Sequence, residues 1–310
     1  MANGSSGLIR FLLTVMFGAV VIWGGSAWAT PLEPSMTPDA PTTQSIENSQ
    51  LNAAPRVWIF MGAPGDEERE AFYRGLLEDY VKALTAYYEI EAQDITVRYD
   101  QGQREGWGAC DADGLREETA RMAELSHDGA PVWAIFLGHC NQSRGRVMYN
   151  LPGPDISEKD LAEMLAEVKP AGGLAVILTM TLSGKMIEEL AAEGRIFITA
   201  SNEEEKANET EFARVLAVVL ETPSSDLDGD KLLSADEIFL ECKRRVEEIY
   251  TEGNLFQTEH CLLDGNGDGK ATSRPSHRDA RGARLMALKR RPVAEVIQTT
   301  DEVPIYPDVD

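Results

Sequence analysis

Short, continuous apolar runs alternate along this chain with segments whose apolar residues recur every three or four positions. Val57 to Met61 is the first such run, and it breaks at Gly62-Ala63-Pro64-Gly65, as a buried strand entering a turn does. Asp66 is placed to cap a helix in which Phe72, Leu76, Leu77, Tyr80, Val81 and Leu84 share a face, through about Tyr88. Ile95 to Tyr99 alternates like a strand, and Leu115, Met122 and Leu125 mark another helix. Val132 to Leu137 is a fully apolar strand ending at Gly138-His139-Cys140, and Ser157-x-x-Asp160 opens a helix through about Val168. Leu174 to Leu178 is the next strand, leading into Thr179-Met180-Thr181-Leu182-Ser183-Gly184. Ile187 to Ala192 is helical, Ile196 to Thr199 is a strand, and Glu209 to Glu221 is a helix. The pattern predicts an α/β fold, with a mainly parallel sheet flanked by helices on both faces. Functional loops in such sheets gather at the carboxyl ends of the strands, and His139 and Thr181 both stand just past one.

The ends of the chain follow a different pattern. Arg10 is the only charged side chain before Pro31, Phe11 to Trp23 is nearly all apolar, and Ala27-Trp28-Ala29 supplies small residues at the end. That order predicts a signal peptide over residues 1–29 and export to a periplasmic or secreted location. The strongly apolar stretch is shorter than the roughly 20 residues of a membrane span, so a membrane enters only through an uncleaved signal. Residues 30–55 are rich in Pro, Ser and Thr and read as a disordered linker. The predicted α/β domain covers 56–222, an acidic-loop region covers 223–291, and 292–310 reads as a flexible tail. Gly282 to Arg291 is predicted as a short basic helix that neutralises an acidic body or offers a docking patch.

Of the 310 residues 43% are apolar, enough for a sizeable core, and 52 Asp+Glu against 29 Lys+Arg give a charge of −23. That balance argues against nucleic acid and anionic membrane surfaces as partners, and suits divalent cations or plain solubility.

The most specific local pattern lies after Pro223. Asp226, Asp228 and Asp230 occupy positions 1, 3 and 5 of a twelve-residue loop, Leu232 offers a carbonyl at 7, Ser234 stands at 9 and Glu237 at 12. This is the spacing of an EF-hand, in which oxygens wrap around Ca²⁺. Lys231 departs from it, because position 6 usually carries glycine and the lysine must take a glycine-like conformation. A second loop begins 38 residues further on with Asp264, Asn266, Asp268, Lys270 and Thr272. It keeps glycine at position 6 but ends on Pro275, which offers no carboxylate, so a weaker or truncated site is expected. Paired EF-hands would bring the helix carrying Cys242 beside the segment carrying Cys261. A Cys242–Cys261 disulfide is expected on that ground, and Cys110–Cys140 by elimination.

The strand ending at Gly138-His139, the segment Tyr149-Asn150-Leu151-Pro152-Gly153, and the strand running into Leu182-Ser183-Gly184 resemble the caspase/legumain-type cysteine peptidases, over roughly Arg56 to Arg291. The nearest resemblance is to bacterial caspase-like proteins with acidic C-terminal repeats. It implies a dyad of His139 with a nucleophile at Thr181, where active members carry cysteine. A threonine hydroxyl is far less acidic than a thiol and needs a strong base. Ser183, at the helix start, reads as a cap. The resemblance therefore predicts a domain that keeps the fold and has lost peptidase chemistry, serving a protein or peptide partner by binding or scaffolding. The alternatives are a peptidase with an atypical nucleophile, regulated by calcium, and a structural module that calcium merely stabilises.

Overall fold

The structure, a computed structural model, describes residues 54–125, 129–205 and 209–292. The predicted signal peptide, most of the predicted linker and nearly all of the predicted tail lie outside these residues. The first three strands, β1 (Arg56–Met61), β2 (Ile95–Tyr99) and β3 (Val132–Leu137), pair in parallel with β1 in the middle. A small antiparallel sheet follows, built from β4 (Cys140–Ser143), β5 (Arg146–Tyr149) and β6 (Ile156–Ser157). The main sheet then continues with β7 (Leu174–Leu178) and β8 (Arg195–Thr199), each parallel to its neighbour. Its last strand is β10 (Leu262–Asp264), antiparallel to β8, so the six strands run β10-β8-β7-β3-β1-β2. The chain turns back on itself between β1 and β3, which makes the carboxyl end of that pair the crevice where doubly wound sheets place ligands.

Burial on both faces explains the unbroken apolar runs, since β3, β7 and β8 are buried at every position. Alternate side chains reach opposite layers. Val57, Ile59, Trp133, Ile135, Ile177 and Ile198 join one core, while Trp58, Phe60, Ala134, Phe136, Val176 and Phe197 join the other. The first layer is covered by α1 (Glu67–Tyr87), α5 (Phe212–Glu221) and α6 (Ala235–Glu252). The second is covered by α2 (Ala112–Leu125), α3 (Glu158–Leu165) and α4 (Ser183–Leu190). Asp66 caps α1 as expected, accepting from the Arg69 N–H at 2.9 Å, and Ser157 with Asp160 forms a complete capping box on α3.

The region after residue 222 is part of this body. Ile238, Phe239, Cys242 and Val246 of α6 lie in the first core with Cys261 and Leu263, and β10 completes the sheet. The expected basic helix over Gly282–Arg291 is displaced. The helix α7 spans His277–Arg284, and β11 (Ala287–Lys289) then pairs with β9 (Leu232–Ser234). Leu288 is buried opposite Leu233, so this stretch takes its form from strand pairing. Its cations are paired within the chain: Lys289 with Glu89, Arg291 with Glu91, Arg284 with Asp236, and Arg290 over the Tyr88 ring.

Both outer strands have their free edges met by loops. Gly108 bonds to β2 through the Tyr99 N–H at 2.9 Å and the Val97 carbonyl at 3.1 Å. Leu263 of β10 exchanges two 3.0 Å bonds with Thr272.

The N-terminus of α5 is capped across the fold. The buried Glu259 carboxylate accepts from the Glu211 N–H at 2.8 Å and the Phe212 N–H at 3.4 Å. Burial raises this carboxyl to about 7, against the opposing pull of the two N–H groups. An unfolded glutamate titrates near ~4.3, so above that value the native state holds a proton the unfolded chain has lost. The stability contributed by that proton is complete below the unfolded pKa and is lost as pH rises through the folded one. Urea unfolding at stepped pH should show stability falling between about 4.3 and 7. Glu259→Gln should flatten that part of the profile, and an unchanged slope would show that another group carries it.

Candidate dyad cleft and acidic loops

Three neighbouring strands deliver the residues of the predicted dyad. After β1 the chain turns through Gly62, where a Cβ would overlap the Asn150 carbonyl, and the Ala63 N–H donates to that same oxygen at 3.0 Å. After β3, Gly138 takes φ +114°, a conformation open to glycine, and presents His139. After β7 comes Thr181. His139, Cys140, Thr181 and Leu182 line one cleft of about 450 Å³ with Pro64, Arg69 and Asn150. The structure thus brings the predicted pair to a single site.

His139 Nε2 lies 3.3 Å from the Pro64 carbonyl, and its ring stands edge-on to Tyr73 with centroids 5.8 Å apart. A carbonyl only accepts, so Nε2 is the donor in that contact. Thr181 is only 4% exposed. Leu182 beside it has φ +60°, which costs a non-glycine residue of order 1–3 kcal/mol. Its N–H donates to the Glu205 carbonyl at 3.2 Å and its side chain is buried, which holds the turn.

Ser183 departs from its predicted role. It is fully buried and caps nothing; its Oγ lies 3.2 Å from Ser201 Oγ and accepts from the Ser201 N–H. The left-handed Leu182 turns the chain into α4 in place of a side-chain cap. Burial pushes the Cys140 and Cys110 thiols upward, so neither is a ready thiolate at neutral pH. Tyr149, paired across the small sheet with Cys140, also meets Cys110. All four cysteines carry free thiols in the structure, and Cys242 and Cys261 share the first core. Arg69 is a cleft residue that the sequence did not single out, as are Asn141 and Gln142. It closes one wall while paired with Asp66 and Glu209.

The first acidic loop is a turn held by its own carboxylates. Asp226 accepts from the Gly229 N–H at 2.7 Å and the Lys231 N–H at 2.9 Å, and Asp230 accepts from the Leu232 N–H at 2.7 Å. Lys231 takes φ +71°, the glycine-like conformation its position demands. Ser234 caps α6, and Glu237 returns the bond to the Ser234 N–H and Oγ at 2.8 Å. The other Glu237 oxygen takes the Leu227 N–H at 2.8 Å, so one buried carboxylate joins the start of the loop to the helix. Asp226, Asp228 and Glu237 each bring an oxygen within 4.8 Å of the others.

The second loop is built alike but seated elsewhere. Asp264 accepts from the Gly267 and Gly269 N–H groups at 2.8 Å, and Asp268 from the Lys270 N–H at 3.0 Å. The Thr272 hydroxyl accepts from the Arg274 N–H at 3.1 Å. The two loops do not pair strand to strand as paired EF-hands would. Leu233 meets Leu288, whereas Leu263 meets Ile198 and Thr272. The reason is that β8 already holds β10, and a Cβ at Gly267 would overlap the Ala192 carbonyl, so the second loop lies against the sheet edge. No helix among the described residues is long and apolar enough to cross a membrane. Compared with protein-family models and with curated proteins, the chain matches none.

Removing the Lys231 side chain isolates the cost of its conformation. Lys231→Gly should raise the metal-free unfolding free energy by about 0.5 kcal/mol, the left-handed penalty less glycine's entropy. A denaturant midpoint that falls would mean that the lysine side chain stabilises the loop by contacts.

Proposed function

We propose that the protein is an exported calcium-binding protein whose α/β domain resembles the caspase/legumain-type peptidases and acts by binding or scaffolding. The observation that carries the calcium reading is the convergence of Asp226, Asp228 and Glu237 within 4.8 Å on a loop of EF-hand spacing. Three carboxylates so close repel one another, and a hard divalent cation with oxygen ligands relieves that repulsion. Threonine at the nucleophile position, with a hydroxyl far less acidic than a thiol, supports loss of peptidase chemistry. Export is supported by the order of basic residue, apolar run and small residues before Thr30. In that compartment a Cys242–Cys261 bridge would form from two thiols of the same core, and non-reducing peptide mapping of exported protein reads it directly.

Calorimetric titration with Ca²⁺ tests the central claim. Glu237→Gln should weaken binding roughly tenfold or more, about 1.4 kcal/mol. Ca²⁺ at 100 times its dissociation constant should add ~2.7 kcal/mol to stability, visible as a higher melting temperature. Binding that is unchanged in Glu237→Gln removes the first loop from the proposal.

A second reading has its own observation. His139 and Thr181 line one cleft beside a strained Leu182, an arrangement that would suit a working dyad. Under the leading proposal, wild type and Thr181→Ala show the same background on a broad peptide library, with and without Ca²⁺. Cleavage by wild type that disappears in Thr181→Ala establishes the peptidase reading in its place.

A further inference from the structure

The strand that borders the first acidic loop comes from far along the chain. Strands β9 and β11 match Leu232, Leu233 and Ser234 with Lys289, Leu288 and Ala287. One further bond extends the match at each end: the Arg290 N–H donates to the Lys231 carbonyl at 2.9 Å, and the Ala235 N–H to the Met286 carbonyl at 2.8 Å. Residues 286–290 thus face the loop from Lys231, whose φ is +71°, to Ala235, the first residue of α6. In paired EF-hands a second loop would hold that place.

The same segment is fastened along its other edge to the end of α1. Tyr88 bridges Arg290 in antiparallel register, the Glu89 N–H donates to the Lys289 carbonyl at 2.9 Å, and the Arg291 N–H to the Tyr87 carbonyl at 2.8 Å. Side chains secure the join. Arg291 donates from Nε to the Thr85 carbonyl at 3.0 Å and from Nη2 to the Ile90 carbonyl at 3.2 Å. Arg290 donates from Nη2 to the Thr222 carbonyl at 2.8 Å, just before the loop, and Arg284 holds Asp236, the neighbour of Glu237. Tyr88 and Leu288 are both buried, so the join is part of the first core. The helix it reaches starts at the cleft, where Arg69 stands in the wall and Tyr73 meets the His139 ring.

We propose that residues 286–291 form a strap that fixes the shape of the first loop, sets how tightly it holds a divalent cation, and joins its state to the carboxyl end of α1. Lys231 and Leu232 are already held in place by the strap, so the Leu232 carbonyl, at the loop's seventh position, loses less freedom when an ion binds. The coupling runs both ways, because whatever the strap adds to ion affinity the ion adds to the strap. The proposal rests on the calcium reading of the first loop for the ion alone. The join of loop, strap and helix is made by the hydrogen bonds themselves.

Hydrogen exchange of the full chain, read by mass spectrometry with and without Ca²⁺, tests the strap, and calorimetry measures the affinity. In wild type, Ca²⁺ should slow exchange about tenfold in peptides covering 226–237, 286–291 and 87–91. Arg291→Gln alters no residue bonded to the loop, yet it should weaken Ca²⁺ binding about fivefold and speed metal-free exchange over 231–235. Losing a positive charge would by itself favour cation binding, so weaker binding reads the lost hold and not the lost charge. Ca²⁺ that protects 226–237 but leaves 286–291 and 87–91 unchanged overturns the strap and leaves the calcium reading standing. Unchanged or tighter binding by folded Arg291→Gln does the same. The wild-type exchange measurement needs no variant, so it decides the matter should Arg291→Gln fail to fold. A wild type that binds no Ca²⁺ overturns the calcium reading and the strap's part in affinity together, and the metal-free exchange of Arg291→Gln then reads the join by itself.

Discussion

A parallel sheet buried at every position of its central strands has to be covered on both faces, and that requirement decides where the last third of the chain goes. Helices α1 and α5 do not finish the first layer. Helix α6 does, by laying Ile238, Phe239, Cys242 and Val246 against the same core that holds Ile59 and Ile177. Each buried aromatic or large aliphatic side chain contributes roughly 1.5–3 kcal/mol. The helix that follows the first acidic loop is thus as much a part of the sheet's cover as of the loop. The acidic loops belong to the α/β body because their flanking elements complete it.

That arrangement explains which features were legible in the sequence. The strands β1, β3, β7 and β8 announce themselves as apolar runs, because burial on both sides confines polar residues to the ends of β1 and β8. The first loop is legible down to Lys231, since carboxylate spacing encodes a local shape that requires a positive φ at that residue. The small antiparallel sheet is not legible. Strand β4 carries Cys140-Asn141-Gln142-Ser143, mostly exposed, and makes its place by pairing with β5. Strand β10 has three residues, too few for any period, and only the vacant edge of β8 gives it a partner.

The cleft residues divide along the same line. His139 and Thr181 are found from the sequence because they follow strands that the sequence reveals. Arg69 and the role of Ser183 are not, because they depend on how helices meet. Ser183 faces Ser201 only after β8 has been laid beside β7.

The treatment of the sheet's two edges has a consequence for how the molecule meets others of its kind. A bare outer strand offers a row of unpaired amides and carbonyls to any passing strand, which is how folded proteins stack edge to edge and begin to aggregate. Here Gly108 occupies that row on β2, and Thr272 occupies it on β10. Neither sheet edge offers a continuous template, so growth by strand addition is blocked at both ends of this sheet. The chain is thereby spared one common path to insolubility, and two loop residues provide that protection.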